Sequence, residues 1–192
     1  MPFDLDTLLR ELTSGDEERA QRAIQSMAER PFDSIEPLIQ LVRSADEDIR
    51  WWAVAALSHL PLELSGEYLL AALDDPATSV RQCALVGLQR QPSLDALPKL
   101  IELVGSPNAL TARLAGGVLA RLGELAVPAL GDVMQGDIAR ARIHAARALA
   151  EMRVESTIPI LFEALEDPLS LVVYWAEEGL ERLGVGMTFF KP

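Results

Sequence analysis

An alanine recurs at the centre of six apolar segments, at Ala23, Ala53, Ala84, Ala115, Ala145 and Ala176, and the intervals are always 30 or 31 residues. Four residues beyond each stands Met27, Leu57, Leu88, Leu119, Leu149 or Leu180. Spacing of i and i+4 puts both side chains on one face of a helix. A period of this length, kept over six copies, leaves few folds open. Each copy is one supersecondary unit, too small to bury its apolar face alone, and stacking against the next copy buries it.

A second ladder runs between these helices. Pro37, Pro98, Pro128 and Pro159 each open another apolar segment of helical period, with Thr7 and Glu67 in the two remaining slots. Proline is tolerated in a first helical turn, where its missing N–H has no partner to lose. Turn signals separate the two helices of each copy: Ser14-Gly15-Asp16, Asp75-Pro76, Ser106-Pro107, Gly136-Asp137 and Asp167-Pro168. Each copy therefore reads as a helical hairpin. The six span roughly 3–30, 31–61, 62–92, 93–123, 124–153 and 154–184. With the tail 185–192 they form one uninterrupted domain over 1–192. The charged first copy suits a cap, and Phe189 and Phe190 in the tail are expected either to fold back over the open end of the core or to serve as an apolar plug for a partner or a second copy.

Composition narrows the partners. The chain carries 29 acidic and 17 basic residues, a net charge of −12. That disfavours nucleic acid and anionic membrane, both of which attract positive surfaces. One cysteine, Cys83, permits no internal disulfide and points to a reducing, cytoplasmic location. Acids in the first residues, MPFDLDTLLREL, do not suit a signal peptide, and no apolar run is expected to reach the length of a spanning helix.

The run D-P-x-x-x-V-R-x-x-A-x-x-x-L, at Asp75, Pro76, Val80, Arg81, Ala84 and Leu88, resembles HEAT repeats, most closely the short phycobilisome-lyase-type variety. The resemblance covers about 3–184 and implies an all-α, right-handed α-solenoid of about six HEAT-like helical hairpins. It also implies that Arg50, Arg81 and Arg142 are structural arginines pairing with loop aspartates such as Asp75 or Asp137. Ala112 and Val173 depart from the pattern in that arginine slot.

In HEAT-like solenoids the second helix of each hairpin lines a concave groove. With the ladder alanines and leucines buried, the positions one, two and five after the arginine slot face the groove or its edge. The candidate binding residues are Trp51, Trp52, Gln82, Arg113, Ile143, His144, Arg147, Tyr174, Trp175 and Glu178. All three tryptophans fall on this surface, and Trp, Tyr and Arg are the types enriched at binding hot spots. Trp51 and Tyr174 are expected to be exposed. Trp52 and Trp175 either line the groove edge or pack between helices. The second-helix windows hold ten arginines against five acids. Beyond the ladder arginines and those near helix C-termini, where the helix dipole favours cations, Arg113 and Arg147, with or without Arg22, are expected to make a modestly basic groove centre. Such a centre suits a carboxylate or an acidic peptide.

Catalytic signals are sparse. Neither His59 nor His144 belongs to the His-Glu pairs of the HEAT-repeat metalloenzyme deoxyhypusine hydroxylase, and no C-x-x-C, H-E-x-x-H or phosphate-binding glycine loop is present. Gly116-Gly117 lies within a helical pattern and is expected to permit close helix packing. The reading is a non-catalytic interaction scaffold for a protein or peptide segment, without metal or cofactor. The alternatives are a bilin lyase-like or chromophore-handling subunit, in which Arg113 or Arg147 meets propionates, and a HEAT-like DNA glycosylase, which the net charge disfavours.

Overall fold

Helices form where the two ladders place them. The computed structural model describes residues 4–185; the tail phenylalanines lie outside them. Two compact units divide the chain, Met1–Gln91 and Pro92–Pro192, where the sequence ladder alone predicts one uninterrupted domain.

The first unit comprises α1 (Leu5–Leu12), α2 (Glu17–Ala28), α3 (Pro31–Leu41), α4 (Glu47–Leu57), α5 (Leu62–Ala72) and α6 (Thr78–Arg90). They pair as three hairpins: α1 with α2, α3 with α4 and α5 with α6. First helices pack on first helices (α3 on α5), and second helices on second (α2 on α4, α4 on α6). Aspartates cap the N-termini of α1, α2 and α4. The Asp16 carboxylate accepts from the Arg19 amide at 3.0 Å, and that of Asp46 from the Asp48 and Ile49 amides at 2.8 and 3.3 Å. Such caps satisfy amides that have no partner inside the helix.

In the second unit, α7 (Leu97–Val104), α8 (Ala109–Leu122), α9 (Val127–Met134), α10 (Ala139–Met152), α11 (Ile158–Ala164) and α12 (Ser170–Arg182) repeat the arrangement. α10 is its central element, packed on α8 and α12. A short 3-10 turn precedes each first helix, over Leu94–Ala96, Gly123–Ala126 and Glu155–Thr157. Pro98, Pro128 and Pro159 sit in the first helical turns, as their spacing predicts. Pro37 does not. The helix containing it starts at Pro31, so Pro37 lies inside α3. There the buried Ser34 hydroxyl, which donates to Arg30 and Met27 carbonyls, secures the preceding turn.

The core is the predicted one. All six ladder alanines and their partner leucines or methionine are at most 3% exposed. Alanine at the crossing lets neighbouring second helices approach, and leucine fills the remaining space. The closest approaches are glycines that the repeat pattern does not single out. A Cβ on Gly87 would lie 2.6 Å from the Ser58 Cβ, and one on Gly179 would lie 2.8 Å from Leu161 and 3.0 Å from Ala150. At Gly116 it would be 3.4 Å from the His144 carbonyl, an ordinary contact, so close packing does not require that glycine.

One stretch, Ala109–Met134, does reach the length and mean hydropathy (1.3) of a spanning segment, longer than the sequence reading allows. Here it is bent at Gly123 (φ 61°) into α8 and α9, and its ladder residues Ala115 and Leu119 are fully buried in the second unit.

Candidate interaction surface

Three of the ten candidate residues belong to the first unit. Trp51 and Trp52 stand on α4 with ring centroids 4.8 Å apart and planes at 89°, an edge-to-face pair. Both are half-buried, so Trp51 is less open than its register predicts. Gln82 on α6 is also half-buried. Its neighbour Cys83 directs its thiol at the Trp51 carbonyl, 3.7 Å away. Burial pushes this thiol up to about 12, so it stays protonated and unreactive at neutral pH. Val86, one turn on, is exposed and continues the apolar surface of α6.

The other seven lie on α8, α10 and α12. Tyr174 and Trp175 repeat the edge-to-face geometry, with centroids 5.1 Å apart and planes at 71°, at the repeat positions that Trp51 and Trp52 hold in the first unit. Tyr174 is 48% exposed and Trp175 half-buried. The Arg147 guanidinium carbon lies 5.1 Å from the centroid of the Trp175 ring, and its Nε donates to Glu151 at 2.7 Å. Stacking fixes the arginine and covers one face of the indole. Glu178 accepts from Arg182 at 2.9 Å. Ile143 is half-buried.

His144 backs onto α8 through its carbonyl at Gly116, and its Nδ1 is buried without a hydrogen-bond partner among the described residues. Burial, and then the charges of Arg147 and Arg113, hold the imidazole below its ordinary pKa. It is accordingly a neutral, polar element of this face at pH 7. Arg113 is exposed and forms no ion pair among the described residues, whereas Arg22 lies 3.8 Å from Glu18. The basic centre expected from Arg113, Arg147 and Arg22 thus reduces to Arg113 with a tethered Arg147.

Two of the three ladder arginines pair with loop aspartates, whereas Arg81 donates to the Asp75 and Pro76 carbonyls at 2.6 and 3.0 Å and to the Thr78 hydroxyl at 2.8 Å. Arg50 forks onto Asp75 at 2.8 and 3.0 Å. Arg142 reaches Asp167 at 2.8 Å, the aspartate of the following hairpin, and not Asp137. The signal was available in the spacing, since both pairs are 25 residues apart. A cleft of about 240 Å³ opens on the first-helix side of the second unit, and no motif in the sequence marks it. Met134, Gln135, Ile160, Glu163, Ala164, Glu166 and Asp167 line it. Among the described residues no cluster of His, Cys, Asp or Glu is arranged to hold a metal ion.

Comparison with known proteins agrees with this architecture. Residues 5–89 match the HEAT repeats model, and residues 141–167 match that of the PBS lyase HEAT-like repeat. The chain is a HEAT-like repeat protein. Its structure resembles an archaeal HEAT-like repeats protein from Thermococcus onnurineus, with TM-score 0.68 and 17% identity over 95% of this chain and 81% of that one. It also resembles an engineered protein (TM-score 0.55, 22% identity, 96% and 98% covered) and a designed armadillo repeat protein in complex with the peptide (KR)4 (0.53, 17%, 94% and 100%). At these identities the likeness is one of fold. No curated protein matches the chain.

Proposed function

We propose that this protein is a non-catalytic interaction scaffold that holds protein or peptide segments on its second-helix faces. The observation that carries the reading is the edge-to-face aromatic pair set at one repeat position in each unit, Trp51–Trp52 and Tyr174–Trp175. Rigid, partly exposed aromatics lose little conformational freedom on binding and bury large apolar area. Designed repeat proteins of similar fold that take peptides are consistent with this use of the architecture. Arg113 favours a carboxylate-bearing residue in the segment that meets the second unit. Of the two arginines that could meet a chromophore propionate, Arg147 is already engaged by Glu151 and Trp175, which leaves Arg113 alone for the chromophore-handling reading.

Selection of peptides from a random displayed library against the full chain tests the proposal. Tyr174→Ala and Trp51→Ala should each weaken binding of selected peptides by about tenfold or more, the loss typical of an aromatic anchor. Tyr174→Ala should leave the melting temperature nearly unchanged. Selected peptides indifferent to both substitutions would refute the assignment.

A further inference from the structure

Each complete rung of the arginine ladder uses the same anchor points. Arg50 reaches the carboxylate of Asp75, 25 residues on, and its Nη1 donates to the Ser44 carbonyl, six residues back, at 3.0 Å. Arg142 reaches Asp167, again 25 residues on, and donates to the Gly136 carbonyl, six back, at 2.8 Å. The four side chains are 10–15% exposed, so each guanidinium is largely enclosed between consecutive loops.

Applied to the slot between these two rungs within the second unit, the offsets fall on Ala112, Asp137 and Ser106. Carboxylate and carbonyl are kept, but the arginine is an alanine, fully buried at its Cβ. Asp137 is exposed, where Asp75 and Asp167 are covered, and its carboxylate enters no hydrogen bond or ion pair among the described residues. Arg140 does not substitute, because its Nε donates to the Gly105 carbonyl at 2.7 Å. Two exposed aliphatic side chains stand at the starts of the flanking helices: Leu110 on α8, 42% exposed, and Ile138 before α10, 54% exposed. The corresponding positions of the first unit are polar or small, with Glu18, Asp48 and Ser79 for Leu110 and Asp16, Asp46 and Ala77 for Ile138.

We propose that Asp137 and the Ser106 carbonyl, flanked by Leu110 and Ile138, form a docking site for an arginine side chain of a protein partner, which completes the missing rung in trans. The acceptors are a carboxylate and a carbonyl, and a planar guanidinium with five donors can serve both, as it does at Arg50. A lysine ammonium lacks that fork. The net charge of −12 further favours a basic segment. This site lies on the loop edge and is independent of the second-helix faces.

The test uses the full chain and a fluorescein-labelled peptide, Gly-Ser-Leu-Arg-Leu-Ser-Gly, with versions carrying Lys or Gln for Arg, read by anisotropy at low salt. The arginine peptide should bind about tenfold tighter than either control, as expected for one charge-assisted pair. Asp137→Asn should remove that preference. Ala112→Arg supplies the guanidinium in cis and should abolish binding without lowering the melting temperature. Equal affinity for the three peptides, no binding of the arginine peptide, or a preference that survives Asp137→Asn would overturn the proposal. Should Ala112→Arg fail to fold, Asp137→Asn decides alone, since that residue is exposed.

Discussion

Two helical glycines, Gly116 and Gly179, differ by what stands opposite them. Gly→Ala inside a helix ordinarily gains about 1 kcal/mol through propensity. At Gly179 the added Cβ meets Leu161 and the backbone of Ala150 at 3.0 Å or less, and overpacking of this kind costs about 1–3 kcal/mol. Gly116 has only ordinary contacts at 3.4 Å and beyond. Gly179→Ala should therefore lower the denaturation midpoint, while Gly116→Ala should leave it unchanged or raise it. The reverse order in urea melts would show that the α10–α12 contact is looser than described. The sequence points at Gly116-Gly117 because two adjacent glycines are conspicuous. The tight contact sits instead at an isolated glycine, whose neighbour across the helix pair no local pattern reveals.

At the scale of the element, the hairpins are legible because alanine, leucine and proline recur in step, and each has a local physical reason for its place. Pro37 breaks the rule because the turn before it is helical in α3 and 3-10 in the later hairpins. The clamp between hairpins needs one more number, the 25-residue offset, which pairs Arg142 with Asp167. Its energetics give a pH signature. Burial pushes the Asp75 carboxyl up, but hydrogen bonds from Arg50 and the Ala77 amide, with the charges of Arg50 and Arg81, outweigh it and hold the group below its ordinary 3.8. A carboxyl depressed in the folded state contributes stability above its unfolded pKa and loses it as pH falls through the folded one. Asp75→Asn should cost about 2 kcal/mol at pH 7, the range for hydrogen bonds to a charged group. It should also flatten the fall in melting temperature below about pH 4. An unchanged acid limb would show that the clamp contributes no net stability.

For the whole molecule, the repeat count and class follow from periodicity alone, and the HEAT models match parts of both units. The division at Gln91 does not, because the ladders keep step through it. The site was legible only in outline. Register marks the aromatic positions on the second helices, but the burial of Trp51 depends on Trp52 packed edge-on against it. The tether of Arg147 likewise depends on Glu151 one turn along. Such pairings are fixed by rotamers that spacing does not encode.

The central claim is that the second-helix faces make the contact. Hydrogen–deuterium exchange of the full chain, with and without a peptide selected against it, measures this most directly. The account predicts slower exchange in α4 and α6 or in α8, α10 and α12, with the first helices unchanged. Protection confined to the first helices, such as α9 and α11 around the Glu163 cleft, would contradict it.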